Sequence, residues 1–443
     1  MNNTPIYLAI IGLGTVGGSV VELLNANMAE MKRRTGREVM ITYVGTRRHR
    51  PELASHIKQS ADLLDIVKQD DVDIVIEVMG GTTVAKDVIL TAIEYGKDVV
   101  TANKALLAEH GNEIFAKADA NNVKVLYEAA VAGGIPIIKT LREALSANRI
   151  NWLAGIINGT GNFIMTEMKE KGRAFEDVLK EAQALGYAEA DPTFDVEGID
   201  AAHKLTLLAS IAFGIPLQFD KVYCEGITKV TLQDVKYSED LVYCIKYLFF
   251  AVRRELGEGK SGIELRVHPT LIPSDKLLAN VNGVKNAVLV DATPVGQTLY
   301  YGAGAGGGAT ASAVMADVMD MVRSLSKDTD EIDHPVPHLA FLPSELDNVQ
   351  VLPSDDMVTG YYLRVQVKDD VGVLAELTHI LSQSQISIAA ILQKPAFAQG
   401  EVPIIIMVDP VKERNMNEAI AKIEQLNSVI DNVIRIRVDE LAE

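Results

Sequence analysis

Short apolar runs alternate with segments of helical periodicity over the first 130 residues. Ile6–Ile11 (IYLAII) is an uninterrupted apolar run, typical of a strand that is buried on both faces. Further strands are predicted at 39–44, 73–79, 97–102 and 123–128, and helices at 19–31, 84–94 and 106–121. This alternation predicts an α/β fold with a Rossmann-type doubly wound parallel sheet, whose ligands bind at the carboxyl ends of the strands.

The pattern becomes mixed after residue 130. A strand is predicted at 152–157, followed by a small polar loop at 158–162 that could contact a ligand, and by helices at 163–171, 175–185 and 198–211. Helix and strand then alternate as far as residue 291, and the runs 264–268 and 287–290 fit a mixed sheet suited to a dimer surface. Cys244 falls in an apolar run that we interpret as helical, and a last helix is predicted at 311–324.

The C-terminal part has a third pattern. Residues 328–356 contain four prolines among acids and serines, which is typical of a linker. Alternating strands and amphipathic helices follow, at 361–367, 373–383, 386–392, 403–408, 415–426 and 433–438. Their order, β-α-β-β-α-β, predicts a ferredoxin-like domain.

Four segments result from these changes of pattern. The prediction is a dinucleotide-binding domain at 1–130 completed by 301–327, an α+β substrate and dimerisation domain at 131–300, a linker at 328–357 and a regulatory domain at 358–443.

Composition narrows the class of protein. The chain has 443 residues and a net charge of −18, which argues against nucleic acid or an anionic membrane as a partner. Two cysteines, Cys224 and Cys244, exclude a disulfide framework and a CxxC metal pattern. The N-terminus lacks the basic region of a signal peptide, and no uncharged apolar run reaches the length of a membrane span. A cytoplasmic protein is expected.

A glycine-rich turn follows the first strand at once. Its residues are Gly12, Leu13, Gly14, Thr15, Val16 and Gly17. Between a strand and a helix, the first glycine makes the tight turn, the second lets the backbone approach a pyrophosphate, and the third allows close packing. The alternative is a glycine-rich turn without a ligand.

The cofactor preference depends on the end of the second strand. An NAD site usually has an acid there, but this strand is followed by Gly45, Thr46, Arg47 and Arg48. Arg47 is therefore predicted to bind a 2′-phosphate, with NADP(H) preferred and NAD(H) possible. The two arginines could also be ordinary loop residues.

The stretch 185–204 (LGYAEADPTFDVEGIDAAHK) concentrates acids before an apolar helix. Asp200 and Lys204 are four residues apart and face the same way on a helix. An ordinary ion pair is one interpretation. The crowding of carboxylates around a lysine favours a site that holds a cationic group or tunes a proton donor. A second lysine, Lys104, follows a predicted buried strand, where ligands bind.

Five motifs in this order resemble homoserine dehydrogenases: GLGTVG, TANKALL, YEAAVAGGIP, GIINGTGNFI and GYAEADPTFDVEGIDAAHK. The resemblance covers essentially the whole chain. It implies interconversion of L-aspartate 4-semialdehyde and L-homoserine with a nicotinamide cofactor, in the biosynthesis of threonine, methionine and isoleucine.

The resemblance also assigns residues. It implies that Lys204 donates a proton to the carbonyl oxygen and that Lys104 lies close to the same oxygen and the cofactor. Glu189 and Asp200 would hold the substrate's ammonium group. The remaining implied residues are Thr160, Tyr187 and Asp195 in the substrate pocket, Gly306 at the cofactor, and the backbone carbonyls of Glu128, Val131, Gly133 and Ile135 around a sodium ion.

The C-terminal domain resembles an ACT domain. The resemblance implies edge-to-edge pairing in a homodimer or homotetramer, and threonine as effector at a loop formed by Asp370, Gly372, Val373 and Leu374. A pairing module without a ligand is the alternative.

Two other functions stay open at this point. One is an amino-acid sensor that keeps the cofactor fold as a scaffold, and the other is a dehydrogenase of a different amino-acid semialdehyde. A sensor has no use for a proton-donating lysine, which favours an enzyme.

Overall fold

The computed structural model describes residues 4–325, 336–394 and 400–441. The described strands are β1 (Ile6–Ile11), β2 (Val39–Gly45), β3 (Lys58–Ser60), β4 (Ile74–Glu77), β5 (Asp98–Thr101), β6 (Val125–Leu126), β7 (Arg149–Ile156), β8 (Tyr223–Cys224), β9 (Tyr243–Gly257), β10 (Lys260–Pro273), β11 (Lys285–Thr293), β12 (Gly296–Ala303), β13 (Gln350–Val351), β14 (Val358–Lys368), β15 (Ile388–Gln393), β16 (Glu401–Lys412) and β17 (Ile434–Val438).

Helices connect most of these strands. The described helices are α1 (Thr15–Thr35), α2 (Leu63–Val67), α3 (Val84–Glu94), α4 (Lys104–Ala120), α5 (Ile137–Lys139), α6 (Gly159–Lys171), α7 (Phe175–Ala184), α8 (Thr193–Val196), α9 (Ile199–Phe213), α10 (Leu232–Asp240), α11 (Gly307–Leu325), α12 (Val373–Gln383) and α13 (Glu413–Ile423). None of the helices in the described ranges is long and apolar enough to cross a membrane.

The first of two compact units contains residues up to Leu153, His203–Asp220 and Asn286–Asn348. Its parallel sheet has the order β3-β2-β1-β4-β5-β6, so the chain winds outward from β1 in both directions. Helices α1 and α11 pack together in its apolar core, where Val20 and Leu24 meet Val314 and Val318. The predicted doubly wound parallel sheet is confirmed.

The second unit contains Ala154–Ala202, Lys221–Lys285 and Val349–Glu443. Its mixed sheet runs in the order β9-β10-β17-β14-β16-β15. One side of β10 pairs with β9 along its whole length. The other side pairs in succession with β13, β8 and β17, all three parallel to it.

The last domain of this unit has the predicted β-α-β-β-α-β order, formed by β14, α12, β15, β16, α13 and β17. Its core consists of the inward positions of β14 and β16 with Leu377, Leu381 and Met416 from the two helices. The period-2 pattern of β14 and the helical spacing of α12 each place one apolar face in this core. The ferredoxin-like prediction is confirmed.

Two local predictions are wrong. Cys244 lies in strand β9 and not in a helix. The sequence did not show this, because a continuous apolar run has no periodicity that separates a buried strand from a buried helix. The predicted loop 158–162 is the first turn of α6, with Asn158 as its N-cap. The predicted linker contains the short strand β13, and its residues 328–335 lie outside the described ranges.

Candidate active site

The glycine-rich turn between β1 and α1 has the shape of an anion site. Gly12 has φ +102°, and a Cβ there would lie 2.7 Å from the Cα of Met79. A Cβ on Gly17 would lie 2.1 Å from the carbonyl oxygen of Gly12. A Cβ on Gly14 would meet no atom within 4 Å, and this exposed residue is the N-cap of α1. Gly12 and Gly17 are therefore required for close packing, whereas Gly14 leaves the N-terminus of α1 open to a phosphate group.

A second glycine cluster, Gly302–Gly308 (GAGAGGG), ends in the first turn of α11 and lies against α1. A Cβ on Gly307, the first residue of α11, would lie 2.4 Å from Oγ of Ser19. Gly306 is exposed with φ +118°, and a Cβ there would meet no atom within 4 Å. The loop before α11 therefore lies beside α1, and Gly306 has open space next to its backbone. This arrangement fits a nucleotide that rests on the glycine-rich turn.

A buried polar network fixes the start of α4. Glu77, at the end of β4, accepts hydrogen bonds from Oγ1 of Thr101 at 2.7 Å and from the N–H of Met79 at 2.9 Å. Burial raises the pKa of Glu77 above its usual range, although these hydrogen bonds oppose the shift. Asn103 caps α4 and donates to the carbonyl of Gly81 at 2.7 Å. Lys104, the next residue, is therefore held at the carboxyl ends of β4 and β5.

Three arginines follow β2, namely Arg47, Arg48 and Arg50. The prediction of a 2′-phosphate site from the sequence concerned the first two. Arg47 and Arg48 are exposed. Arg50 donates from Nη2 to the carbonyl of Leu13 at 3.2 Å and thereby ties this loop to the glycine-rich turn. The sequence signal was the run RRHR itself, which did not show which arginine would reach the turn.

The predicted sodium loop is buried and irregular. Glu128, Val131, Gly133 and Ile135 are all buried, and Ala132 and Gly133 both have left-handed φ angles, +54° and +49°. The carbonyls of Glu128 and Ile135 each accept a backbone N–H, from Val131 and Ile137, which leaves each a second lone pair. Hard oxygen donors in a buried loop fit an alkali cation.

Carboxylates cluster beside this loop. The carboxylate of Glu128 accepts the N–H groups of Ile138 and Lys139 at 3.0 and 2.7 Å, and burial raises the pKa of Glu128 to about 7. Asp317 accepts the N–H of Glu128 at 2.8 Å, and burial together with the nearby Glu128 raises its pKa. Within the described ranges, however, no group of three or more His, Cys, Asp or Glu side chains is placed to hold a metal ion.

Helix α9 carries the predicted proton donor. Asp200 is in its first turn and buried, and Lys204 lies one turn further on and is half-buried. His203 is buried against the ring of Phe219, with 4.3 Å between ring centroids, as expected for a packing residue. The spacing of Asp200 and Lys204 therefore places a carboxylate and an ammonium group on one face of one helix.

Asn158 joins two of the predicted substrate residues. Its Nδ2 donates to Oδ1 of Asp195 at 2.8 Å and to Oδ2 of Asp200 at 3.0 Å. From the sequence pattern, this asparagine was predicted only to belong to a polar loop. Its partners are 37 and 42 residues away, so no local pattern could have revealed the contact.

Thr160 and Tyr187 are also brought together. Oγ1 of Thr160 donates to the carbonyl of Tyr187 at 2.6 Å, and Thr160 is buried. Glu189 is exposed, and its backbone carbonyl accepts a hydrogen bond from Gln183 at 3.1 Å. Thr160 therefore fixes the backbone two residues before Glu189, and the carboxylate of Glu189 stays open to solvent.

Three segments of the chain match known family models. Residues 136–319 match the family model for homoserine dehydrogenase, residues 12–128 match the model for the homoserine dehydrogenase NAD-binding domain, and residues 361–427 match the model for the ACT domain.

Relatives and solved structures agree with these models. Homoserine dehydrogenase of Pseudomonas aeruginosa is 57% identical over 439 residues, 99% of either chain. The crystal structure of a homoserine dehydrogenase from Thiobacillus denitrificans is 53% identical, has a TM-score of 0.93 and covers 99% of both chains. A hyperthermophilic archaeal homoserine dehydrogenase mutant in complex with NADPH is 26% identical, has a TM-score of 0.60, and covers 74% of this chain and all of the other. The chain belongs to the homoserine dehydrogenase family.

As a homoserine dehydrogenase, the chain is an oxidoreductase with a nucleotide-binding domain, a catalytic domain and a C-terminal ACT domain. The glycine-rich turn lies within the match to the NAD-binding model, and Asp200 and Lys204 lie within the match to the catalytic model. The open N-terminus of α1 lies in the nucleotide-binding domain of this homoserine dehydrogenase.

The ACT domain presents the predicted effector loop at its surface. Gly372 has φ +100° and is the N-cap of α12, and Asp370 beside it is exposed. Val373 turns into the domain core, whereas Leu374 is 38% exposed. Strand β15 ends the sheet path of this unit, and residues along it alternate between half-buried and exposed.

Proposed function

We propose that this homoserine dehydrogenase interconverts L-aspartate 4-semialdehyde and L-homoserine, with Lys204 as proton donor. The observation that supports this most is the placement of Lys204 one turn after the buried Asp200 on α9. In the proposal, Asp200 binds the substrate's ammonium group, and Lys204 on the same face of the helix lies next to the reacting carbonyl.

The chemical roles follow from the charge that develops. The nicotinamide supplies the hydride when the cofactor is bound. Negative charge then builds on the carbonyl oxygen, where Lys204 stabilises it and donates a proton, and Lys104 contributes a second positive charge. In the reverse direction Lys204 accepts the hydroxyl proton. The Asn103 cap and the Glu77 network hold Lys104 in place for this role.

The substrate pocket is proposed to consist of Glu189, Asp195, Asp200, Thr160 and Tyr187. A free amino acid carries an ammonium group, and a carboxylate next to it gives a charge-assisted hydrogen bond. Asp200 supplies a buried carboxylate and Glu189 an exposed one. The bond from Thr160 to Tyr187 sets the position of the segment that leads to Glu189.

The direct test is spectrophotometric. Oxidation of NADPH or NADH is followed with aspartate 4-semialdehyde, and we expect turnover that free threonine lowers. Glutamate 5-semialdehyde serves as the control for a dehydrogenase of another semialdehyde. Absence of turnover with aspartate 4-semialdehyde would contradict the proposal. Turnover that threonine leaves unchanged would refute only the regulatory part.

We further propose a preference for NADP(H), with Arg47 at the 2′-phosphate. Arg47 is exposed after β2, and the bond from Arg50 to Leu13 holds the same loop against the glycine-rich turn. A guanidinium binds a phosphate in a forked geometry that a ribose hydroxyl does not offer.

Arg47→Ala should therefore raise the KM for NADPH by about tenfold and leave the KM for NADH nearly unchanged, because a hydrogen bond to a charged group contributes roughly 1.5–3 kcal/mol. The control is Arg33→Ala, an exposed arginine on α1 paired with Glu30. Equal losses for both cofactors would remove Arg47 from the 2′-phosphate site.

A sodium ion is proposed in the loop of Glu128, Val131, Gly133 and Ile135, as a structural ion. Burial, the two left-handed residues and the carbonyl donors support it. The loop packs on the second glycine cluster, since Gly134 donates to the carbonyl of Ala303 at 3.0 Å. An ion there would stabilise both segments.

The ACT domain is proposed to bind threonine at Asp370, Gly372, Val373 and Leu374, in an assembly of two or four chains that pair along β15. Exposure of this loop and the position of β15 at the end of the sheet path support the proposal. The domain limits proposed from the sequence, a cytoplasmic location and a place in threonine, methionine and isoleucine biosynthesis belong to the same proposal.

A further inference from the structure

Asn158 makes contacts that hold two acidic side chains and a helix terminus at one point. It is buried, with 4% of its surface exposed, and directly precedes α6. Oδ1 accepts the N–H of Gly161 at 2.7 Å, while Nδ2 donates to Asp195 and Asp200. The orientation of the amide is fixed by its partners, because a backbone N–H requires the oxygen and carboxylates require the nitrogen.

We infer that Asn158 is a positioning residue. It holds Asp195 and Asp200 together as a negatively charged binding site for the substrate's ammonium group. The inference rests on the proposed function, which assigns these two acids to the substrate. It adds a residue that the sequence motifs did not single out.

The side-chain amide of Asn158 forms a bridge between Asp195 and Asp200, and the chemistry of this bridge affects what the site can bind. Asp200 is buried and Asp195 is half-buried. Two carboxylates held close together repel each other, and such pairs tend to take up a proton. The neutral amide of Asn158 donates one N–H group to each acid, so it holds the two carboxylates together without adding a charge of its own.

The bridge is also mechanically fixed. A Cβ on Gly161 would lie 2.6 Å from Cδ1 of Tyr247, and a Cβ on Gly198 would lie 2.6 Å from its hydroxyl. The residue before α9 and the first turn of α6 therefore both rest on one buried tyrosine, which is 3% exposed. Because the two segments share this support, the distance from Asn158 to Asp200 has little freedom to change.

Two variants separate the bridge from the helix cap. Asn158→Ser keeps a side-chain oxygen that can cap α6 but is too short to bridge both acids. Asn158→Asp keeps the size and the cap and replaces the two donors with a third negative charge. Asn280→Ser, at an exposed asparagine that donates to the backbone oxygens of Ser274 and Lys276, is the matched control.

Steady-state kinetics with homoserine provide the main measurement. We expect Asn158→Ser and Asn158→Asp to raise the KM for homoserine by about 10- to 100-fold, with a smaller fall in kcat and an unchanged dissociation constant for NADPH. The acid limb of the kcat/KM profile of Asn158→Ser should move to higher pH, because the unbridged carboxylates bind a proton more readily. Its melting temperature should stay within a few degrees of wild type, as should that of Asn280→Ser.

Asp200→Asn tests the substrate-binding role of Asp200 separately from the positioning role of Asn158. If this variant leaves the KM for homoserine unchanged, the assignment of Asp200 to the substrate is wrong, and the inference about Asn158 falls with it. If Asp200→Asn raises that KM while Asn158→Ser shows wild-type KM and a wild-type pH profile, the substrate assignment stands and the positioning role of Asn158 is refuted.

Discussion

Lys204→Ala is expected to lower kcat by about 10²- to 10⁴-fold while NADPH still binds with wild-type affinity. The reason is that the lysine acts in the chemical step, where the carbonyl oxygen gains negative charge and needs a proton. The glycine-rich turn and Arg47, which are proposed to bind the nucleotide, lie far from Lys204 in the sequence and are unchanged in the variant. Stopped-flow measurement of NADPH oxidation and a fluorescence titration of NADPH binding give the two quantities.

Lys180→Ala is the matched control, because Lys180 is an exposed lysine on α7. It should keep the wild-type rate. A Lys204→Ala enzyme that retained most of its rate would remove Lys204 from the mechanism. Joint loss of rate and of NADPH binding would indicate a structural role for the lysine.

Arg437→Met is expected to destabilise the protein by about 3 kcal/mol, because the buried carboxylate of Glu413 loses both of its hydrogen bonds from Arg437 and keeps its ion pair with Arg435. Arg437 is 1% exposed and donates to both oxygens of Glu413, at 3.0 and 2.5 Å. It also donates to Glu225 at 2.7 Å and to the hydroxyl of Tyr223 at 2.9 Å. The arginine thereby links β17 of the ACT domain to the segment that begins with β8. Chemical denaturation at neutral pH measures the loss.

Arg414→Met is the control for this variant. Arg414 pairs with Asp356 in the same compact unit, but the two side chains are 50% and 36% exposed, so the loss should stay below about 1 kcal/mol. A similar loss for both variants would show that burial of the ion pair does not decide its contribution.

The ion pairs of Arg437 with Glu413 and Glu225 make the stability of the protein depend on pH, and the direction of the effect follows from their pKa shifts. Burial alone would raise the pKa of Glu413, but the hydrogen bonds and charge of Arg437 outweigh it, and the net pKa shift is downward. The pKa of Glu225 is lowered in the same way. A lowered folded-state pKa contributes stability that is present above the unfolded pKa of about 4.3 and is lost as the pH falls through the folded value. Arg437→Met should flatten this acid limb of the stability profile.

Local patterns predicted the fold well where one periodicity was present. Strand β1 and helices α3 and α12 have the predicted bounds, because each shows a clean apolar run or a clean helical spacing. Helix α6 was predicted to begin too late. Its first turn contains Gly159 and Gly161, which are typical of a loop, but Gly161 is required here because any larger residue would strike Tyr247.

The residues of the candidate site also differ in whether a local sequence pattern could predict them. Lys204 and Asp200 could be found from their spacing, since a helix brings residues four apart onto one face. Asn158, Arg50 and Glu77 depend on contacts between segments distant in sequence, which no local pattern contains. The same holds for Arg437, because its bond to Glu225 spans 212 positions.

The pairing of β10 has a consequence for any shortened form of this enzyme. A strand with unpaired N–H and C=O groups along one side is a template for association with other chains. Three short strands, β13, β8 and β17, occupy that side of β10 at Gly262–Ile263, Arg266–Val267 and Thr270–Leu271. Removal of the ACT domain would strip β17 from Thr270 and Leu271 and leave an edge prone to aggregation. The ACT domain therefore also protects this sheet, and its proposed regulatory role is better tested by point substitutions than by truncation.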